Sequence, residues 1–278
     1  MDSTIARKTW RTLEPYHGMI YFVPEAAEAY AGLGIEGFDG YFASRGAAFG
    51  EASAELVIAT FFNFHPGVVR HALPKVWATA SPADVLAARR RAAGSALRRL
   101  TGEAGTDADV ERAAELIRPA AEATADTIAG RPLAAAHLAL DWPDDPVVAL
   151  WHGITVLREH RGDGHVACLT EAGLGGLDAL ILHAATGDVP ASILQASRRW
   201  SDDEWAAGID DLATRGLVDA GGAFTDAGRA LRDGIESRTD ELATPPWAAI
   251  GEDACDELRR LVRPASKAIV GGGGLVPS

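Results

Sequence analysis

The chain has 278 residues, 47% of them hydrophobic and 23% charged, the composition of a globular protein rather than a disordered one. Its formal net charge of −13 disfavours nonspecific attachment to nucleic acid or anionic lipid, because a nucleic-acid binder normally carries a basic face. Met1 to Trp10 lacks the apolar stretch of a signal peptide, and no uncharged apolar run reaches the ~18 residues of a membrane span, so a cytoplasmic protein with no membrane association is expected.

Helices are placed by their punctuation. Pro24 opens one over 25–33, and an apolar helix over 53–64 stops near Pro66. Ser81-Pro82 combines a cap with a first-turn proline and starts a helix reaching about Leu100. A loop over 102–107 leads to a helix over 107–128. The run Asp141-Trp142-Pro143-Asp144-Asp145-Pro146 divides a helical domain, 1–142, from a second domain, 143–278. In the second, helices over 147–160, 163–172 and 175–186 form a bridge. A winged helix-turn-helix is expected over 188–244: helices 190–200 and 202–215, two strand-like pieces at Leu217-Val218-Asp219 and Ala223-Phe224-Thr225, then a helix over 226–242. A helix over 252–270 and a loose Gly-rich tail close the chain. The fold class expected is mainly α, with a short two-stranded wing.

The helix that would enter a major groove argues against DNA as a partner. Over 201–219 it carries Asp202, Asp203, Glu204, Asp210, Asp211 and Asp219 against Arg215 alone. Phosphate neutralisation by Lys and Arg supplies most nonspecific affinity, and this helix offers the opposite charge.

The densest polar run is Arg158-Glu159-His160-Arg161-Gly162-Asp163-Gly164-His165. The glycines suit a turn, Asp163 suits a cap on the helix that follows, and Arg158 and Arg161 suit a carboxylate or phosphate. His152, His160 and His165 are the candidate acid–base groups; His152 and His160 lie two helical turns apart, a spacing that lets them face one cavity. Candidate ligand-binding residues are Tyr16, His17, Tyr21, Phe61, Asn63, His65, Trp151, Arg158, Arg161 and Asp163. Tyr16-His17-Gly18-Met19 and Trp151-His152-Gly153-Ile154 echo each other as aromatic-His-Gly-apolar. Cys168 and Cys255 form no CxxC, there is no HExxH, and no metal site is expected. No cofactor is specified; a haem held by one histidine stays open.

The segment "LATRGLVDAGGAFTDAGRAL" resembles the MarR-type winged helix. With "YHGMIYF", "FFNFHPGVVRHALP" and "WHGITVLREHRGDGHVACL", the chain resembles an actinobacterial family of SalK-like, helix-turn-helix proteins. That resemblance implies a helical N-terminal region fused to a MarR-like domain, a homodimer, and a setting in specialised metabolism; it carries over no catalytic residue. Three functions are expected in this order: a small-molecule-binding protein that has lost DNA recognition, a biosynthetic enzyme using a histidine in the same pocket, and a transcription regulator.

Overall fold

The computed structural model describes residues 1–102, 104 and 106–275. Its helices, in chain order, are α1 (Ser3–Gly18), α2 (Pro24–Ala31), α3 (Gly37–Gly46), α4 (Ala54–Phe61), α5 (Pro66–Ala72), α6 (Pro82–Thr101), α7 (Asp107–Glu122), α8 (Pro132–Leu138), α9 (Pro146–Glu171), α10 (Gly176–Ala184), α11 (Ala191–Arg198), α12 (Asp202–Thr214) and α13 (Asp226–Gly271). The starts carry the expected capping chemistry. Ser81 accepts the Asp84 N–H ahead of Pro82, and Ser201 with Glu204 forms a reciprocal capping box on α12. The loop expected over 102–107 is described only in part, because residues 103 and 105 lie outside the described residues, as does the end of the tail, 276–278.

α9 is the axis of the fold. Apolar residues occur all round it, and it is correspondingly buried on every side. Gly153 permits the closest approach: a Cβ there would come within 2.7 Å of Ile117 on α7. Two hydrophobic cores form along this axis. The first joins Tyr16, Phe42, Leu97, Ile117 and Trp151 to Leu258 and Ile269 of α13. The second joins Cys168 and Leu169, at the end of α9, to Leu180, Leu194, Trp205, Leu212, Val218 and Ile235. α13 serves both: Ile235 packs in the second core and Trp247 and the residues beyond it in the first, and Gly251, with φ 82°, breaks its helical path. No single helix among the described residues is long and apolar enough to cross a membrane; α9 and α10 pass that test only as a pair bent by 100°.

Two expectations are corrected. The two-stranded wing is absent: among the described residues there is no strand, only one isolated bridge between Val218 and Phe224. The cause is local. The Asp219 carboxylate accepts the N–H groups of Gly221 and Ala223, tightening the connection into a turn, and Thr225 immediately caps α13. Three residues on each side leave no room for a ladder. The turn expected at Gly162-Asp163-Gly164 is also absent, because α9 runs through it without a break. Burial on all sides outweighs the weak helix propensity of two glycines, a cost of about 1 kcal/mol each.

Candidate functional site

Successive residues leave an α-helix about 100° apart, so a polar run inside a buried helix sends its members in all directions. Each must then find its own partner, since an unpaired buried charge is costly. Arg158 donates to Glu14 of α1 at 2.9 Å and to Glu159 at 3.1 Å. Glu159 pairs with Arg45 of α3 at 3.1 Å. Burial pushes the Glu159 carboxyl up, but Arg45 and Arg158 outweigh it and hold it down at about 2. Arg161 reaches Glu236 and Asp240 of α13 at 3.1 and 2.9 Å and lies 4.1 Å from the Trp10 ring centre. Asp163 accepts the Ala134 N–H at 2.9 Å, so it caps α8 from outside rather than the helix that carries it. Burial raises its carboxyl to about 6, partly offset by that hydrogen bond. Gly164 leaves the space that Arg131 occupies while donating to the His160 carbonyl. The run therefore fastens α1, α3, α8 and α13 to the axis.

Five of the candidate ligand-binding residues meet in the first core. His17 stacks on Trp151 with ring centres 5.8 Å apart and planes within 6°, so the two echoing segments do touch. Thr155 donates to the Trp151 carbonyl at 2.8 Å and therefore accepts from His17 Nδ1 at 2.9 Å. His17 Nε2 is then an acceptor, and Tyr21 donates to it at 2.8 Å. Arg158 lies 5.6 Å from the centre of the Tyr21 ring, and Tyr16 bonds the Val147 carbonyl. Arg89, 1% exposed, donates to the Ser44 carbonyl at 2.7 Å. Burial, followed by Arg158, holds the His17 imidazole far below its ordinary range. This network is built of neutral rings and of the paired Arg158; the Arg89 guanidinium is held by neutral oxygens, with its Nε unpaired among the described residues.

The other candidates are spread out. His152 meets the Trp142 ring edge-on at 5.0 Å, whereas His160 bonds Thr127 at 2.9 Å. Burial, then Arg90, brings His152 to about 4; burial, then Arg131, brings His160 to about 3. They face different neighbours rather than one cavity. His65 bonds Glu204 of α12 at 3.1 Å.

Phe61, Asn63 and His165 do share an opening. A cavity of about 250 Å³ lies between the segment after α4 and the ends of α9, α10, α11 and α13. Its walls are mainly apolar, with Leu169, Leu180, Leu194 and Ile235 from the second core. Its polar members are Asn63, His165, His183, Arg198 and Arg232. Thr239 donates to the Ile235 carbonyl and accepts from His165 Nδ1 at 2.9 Å, which leaves His165 Nε2 with a lone pair and no protein partner among the described residues. Burial, outweighing Glu236, lowers His165 to about 4. Asn63 and His183, both half-buried, make no side-chain hydrogen bond within the described residues.

One wall of this cavity is strained. Phe62 adopts φ 58° and ψ −53°, and the Asn63 N–H closes back on the Phe61 carbonyl at 2.6 Å. This is a γ-turn of the rare, unfavourable hand, costing about 1–3 kcal/mol, and such conformations persist where the surroundings enforce them. Here Trp200 donates to the Asn63 carbonyl at 3.0 Å, and the His65 N–H reaches the Arg198 carbonyl at 2.9 Å. Sequence reasoning missed His183, Arg198 and Arg232. The signals were a histidine and an arginine on the short helices α10 and α11 and one arginine among the many charges of α13, which acquire meaning once the three helices are brought together.

α11, a turn through Arg199 in the left-handed region (φ 64°) and α12 form the helix-turn-helix. α12 buries Trp205, Gly208 and Leu212 and turns Asp202, Asp203, Ala206, Ala207, Asp210 and Asp211 outward. Arg215 is engaged by Asp178, Asp211 and the Gly173 carbonyl. No curated protein and no solved structure matches the chain. The sequence signature of a helix-turn-helix family matches residues 6–277, so the chain belongs to that family.

Proposed function

We propose that this protein binds a small molecule in the cavity between Phe61–Asn63 and the helix-turn-helix, and that it no longer reads DNA. The observation that carries the reading is the coincidence of an apolar cavity with polar groups lacking protein partners and a strained turn in its wall. At about 250 Å³ the cavity suits a compact metabolite. The likeness of its central run to SalK-like proteins of specialised metabolism supports a metabolite as the ligand.

The outward face of α12 supports the second half of the proposal. A duplex would meet four aspartates and two alanines there, and the base of α12 is already tied to His65 through Glu204. A compact-metabolite panel should raise the melting temperature of the wild type, and the same compounds should do nothing for Ala179→Leu or Val166→Phe, each of which fills the cavity. Equal stabilisation of wild type and both filled variants would remove the cavity from the account. A salt-sensitive mobility shift with duplex DNA would restore the regulator reading.

A further inference from the structure

Arg198 is the cavity's unusual member. It lies at the end of α11 with its guanidinium 4.8 Å from the Phe64 ring centre, and it donates to Ser197 Oγ at 2.9 Å. Its Nε is buried without a hydrogen-bond partner, and among the described residues no carboxylate lies within ion-pairing distance. A guanidinium bordering apolar walls is costly to leave unpaired, and its planar donor set fits a carboxylate.

Nearby charge has the same sign. Arg7, Arg161 and Arg232 all converge on Glu236, and Arg7 and Arg161 also on Asp240, which leaves three cations against two anions in that network. Glu236 is thereby already committed. Asp188, the other carboxylate acting on His183, is exposed. The unused groups beside Arg198 are complementary to the same ligand: the Asn63 amide offers donors, and His183, whose pKa burial lowers, can donate through one ring nitrogen while neutral.

We infer that the ligand is an apolar carboxylate, its acid group seated on Arg198 and its hydrocarbon body among Leu169, Leu180, Leu194 and Ile235. This rests on the cavity reading above and adds the ligand's charge and chemical class. The carboxylate supplies a counter-ion for Arg198, while the body packs against the apolar wall. Neutral compounds of the same shape gain only the second part.

Calorimetry on the full chain with octanoate, 4-phenylbutyrate and their primary amides tests this directly. The acids should bind at least about tenfold more tightly than the amides, as charge-assisted pairing with the guanidinium implies. Arg198→Gln should bring the acids down to the amides, Arg198→Lys should keep part of the difference, and Ala179→Leu should abolish binding of both. Melting curves of each variant establish that it is folded, and the Lys variant carries the test if the Gln variant is not. Amides binding as well as acids, or a preference for acids that survives Arg198→Gln, overturns the carboxylate assignment and leaves the cavity reading intact. Acid binding that survives Ala179→Leu places the acid elsewhere and overturns it too. Failure of every acid and amide to bind the wild type overturns the carboxylate assignment, and the metabolite panel then decides the cavity reading by itself.

Discussion

Gly176 sits so tightly against the carbonyl oxygen of Phe62 that a Cβ on Gly176 would overlap it. The strained Phe62, which lines the cavity and packs against the second core, is thus held by the first residue of α10. Gly176→Ala should lower stability by about 1–3 kcal/mol, the range for overpacking a tight contact. Urea unfolding checks this, and an unchanged midpoint would show that the approach is looser than described.

The pair Arg45–Glu159 is buried, with side-chain exposures of 10% and 3%. Glu159→Gln leaves Arg45 without its anion and should cost about 3–5 kcal/mol. The double variant Arg45→Met/Glu159→Leu should recover part of that loss, since it removes the stranded Arg45 charge while Arg158 keeps Glu14. Denaturant midpoints of the two variants decide it. A double variant no better than the single one would mean that the pair is needed for more than charge balance.

Acid should destabilise the protein early. His137 and His160 are held near 3 and His152 and His165 near 4, in each case chiefly by burial, so between these values and about 6.5 the unfolded chain binds protons that the folded one does not. Stability therefore falls as pH drops through that window, with a limiting slope of about 1.4 kcal/mol per pH unit per histidine. Glu159 and Glu236, held near 2 because their arginines outweigh burial, add to the loss below about 4.5. Asp163, raised to about 6 by burial, acts the other way between about 4 and 6 but is one group against these histidines, with His17 and His183 lowered as well. Denaturant midpoints from pH 7.5 to 4 should decline monotonically; a maximum near pH 5 would contradict the neutral buried histidines.

Recharging α12 tests why it should not grip a duplex. Asp203→Lys, Ala206→Lys, Ala207→Lys and Asp210→Lys together replace two anions and add four cations on its exposed face. The variant should acquire nonspecific duplex binding that weakens steeply between 50 and 200 mM salt, on the order of what phosphate contacts confer, while the wild type shows none in the same gel. Retardation of the wild type would show that another surface binds nucleic acid.

The sequence by itself determined the helical class, most helix starts and the acidic face of α12, because caps, prolines and charge act over three or four neighbouring residues. It also picked out the polar run 158–165, whose residue types are dense enough to be noticed without neighbours. Tertiary structure decided what that run does. Whether Asp163 caps its own helix or α8, and whether His152 and His160 face one space, depends on which helices pack around α9. Likewise the strain at Phe62 and the lack of a counter-ion for Arg198 arise from contacts between residues more than 100 positions apart, which no local pattern encodes. Short-range chemistry fixes elements; burial and long-range packing fix what each polar group must answer to.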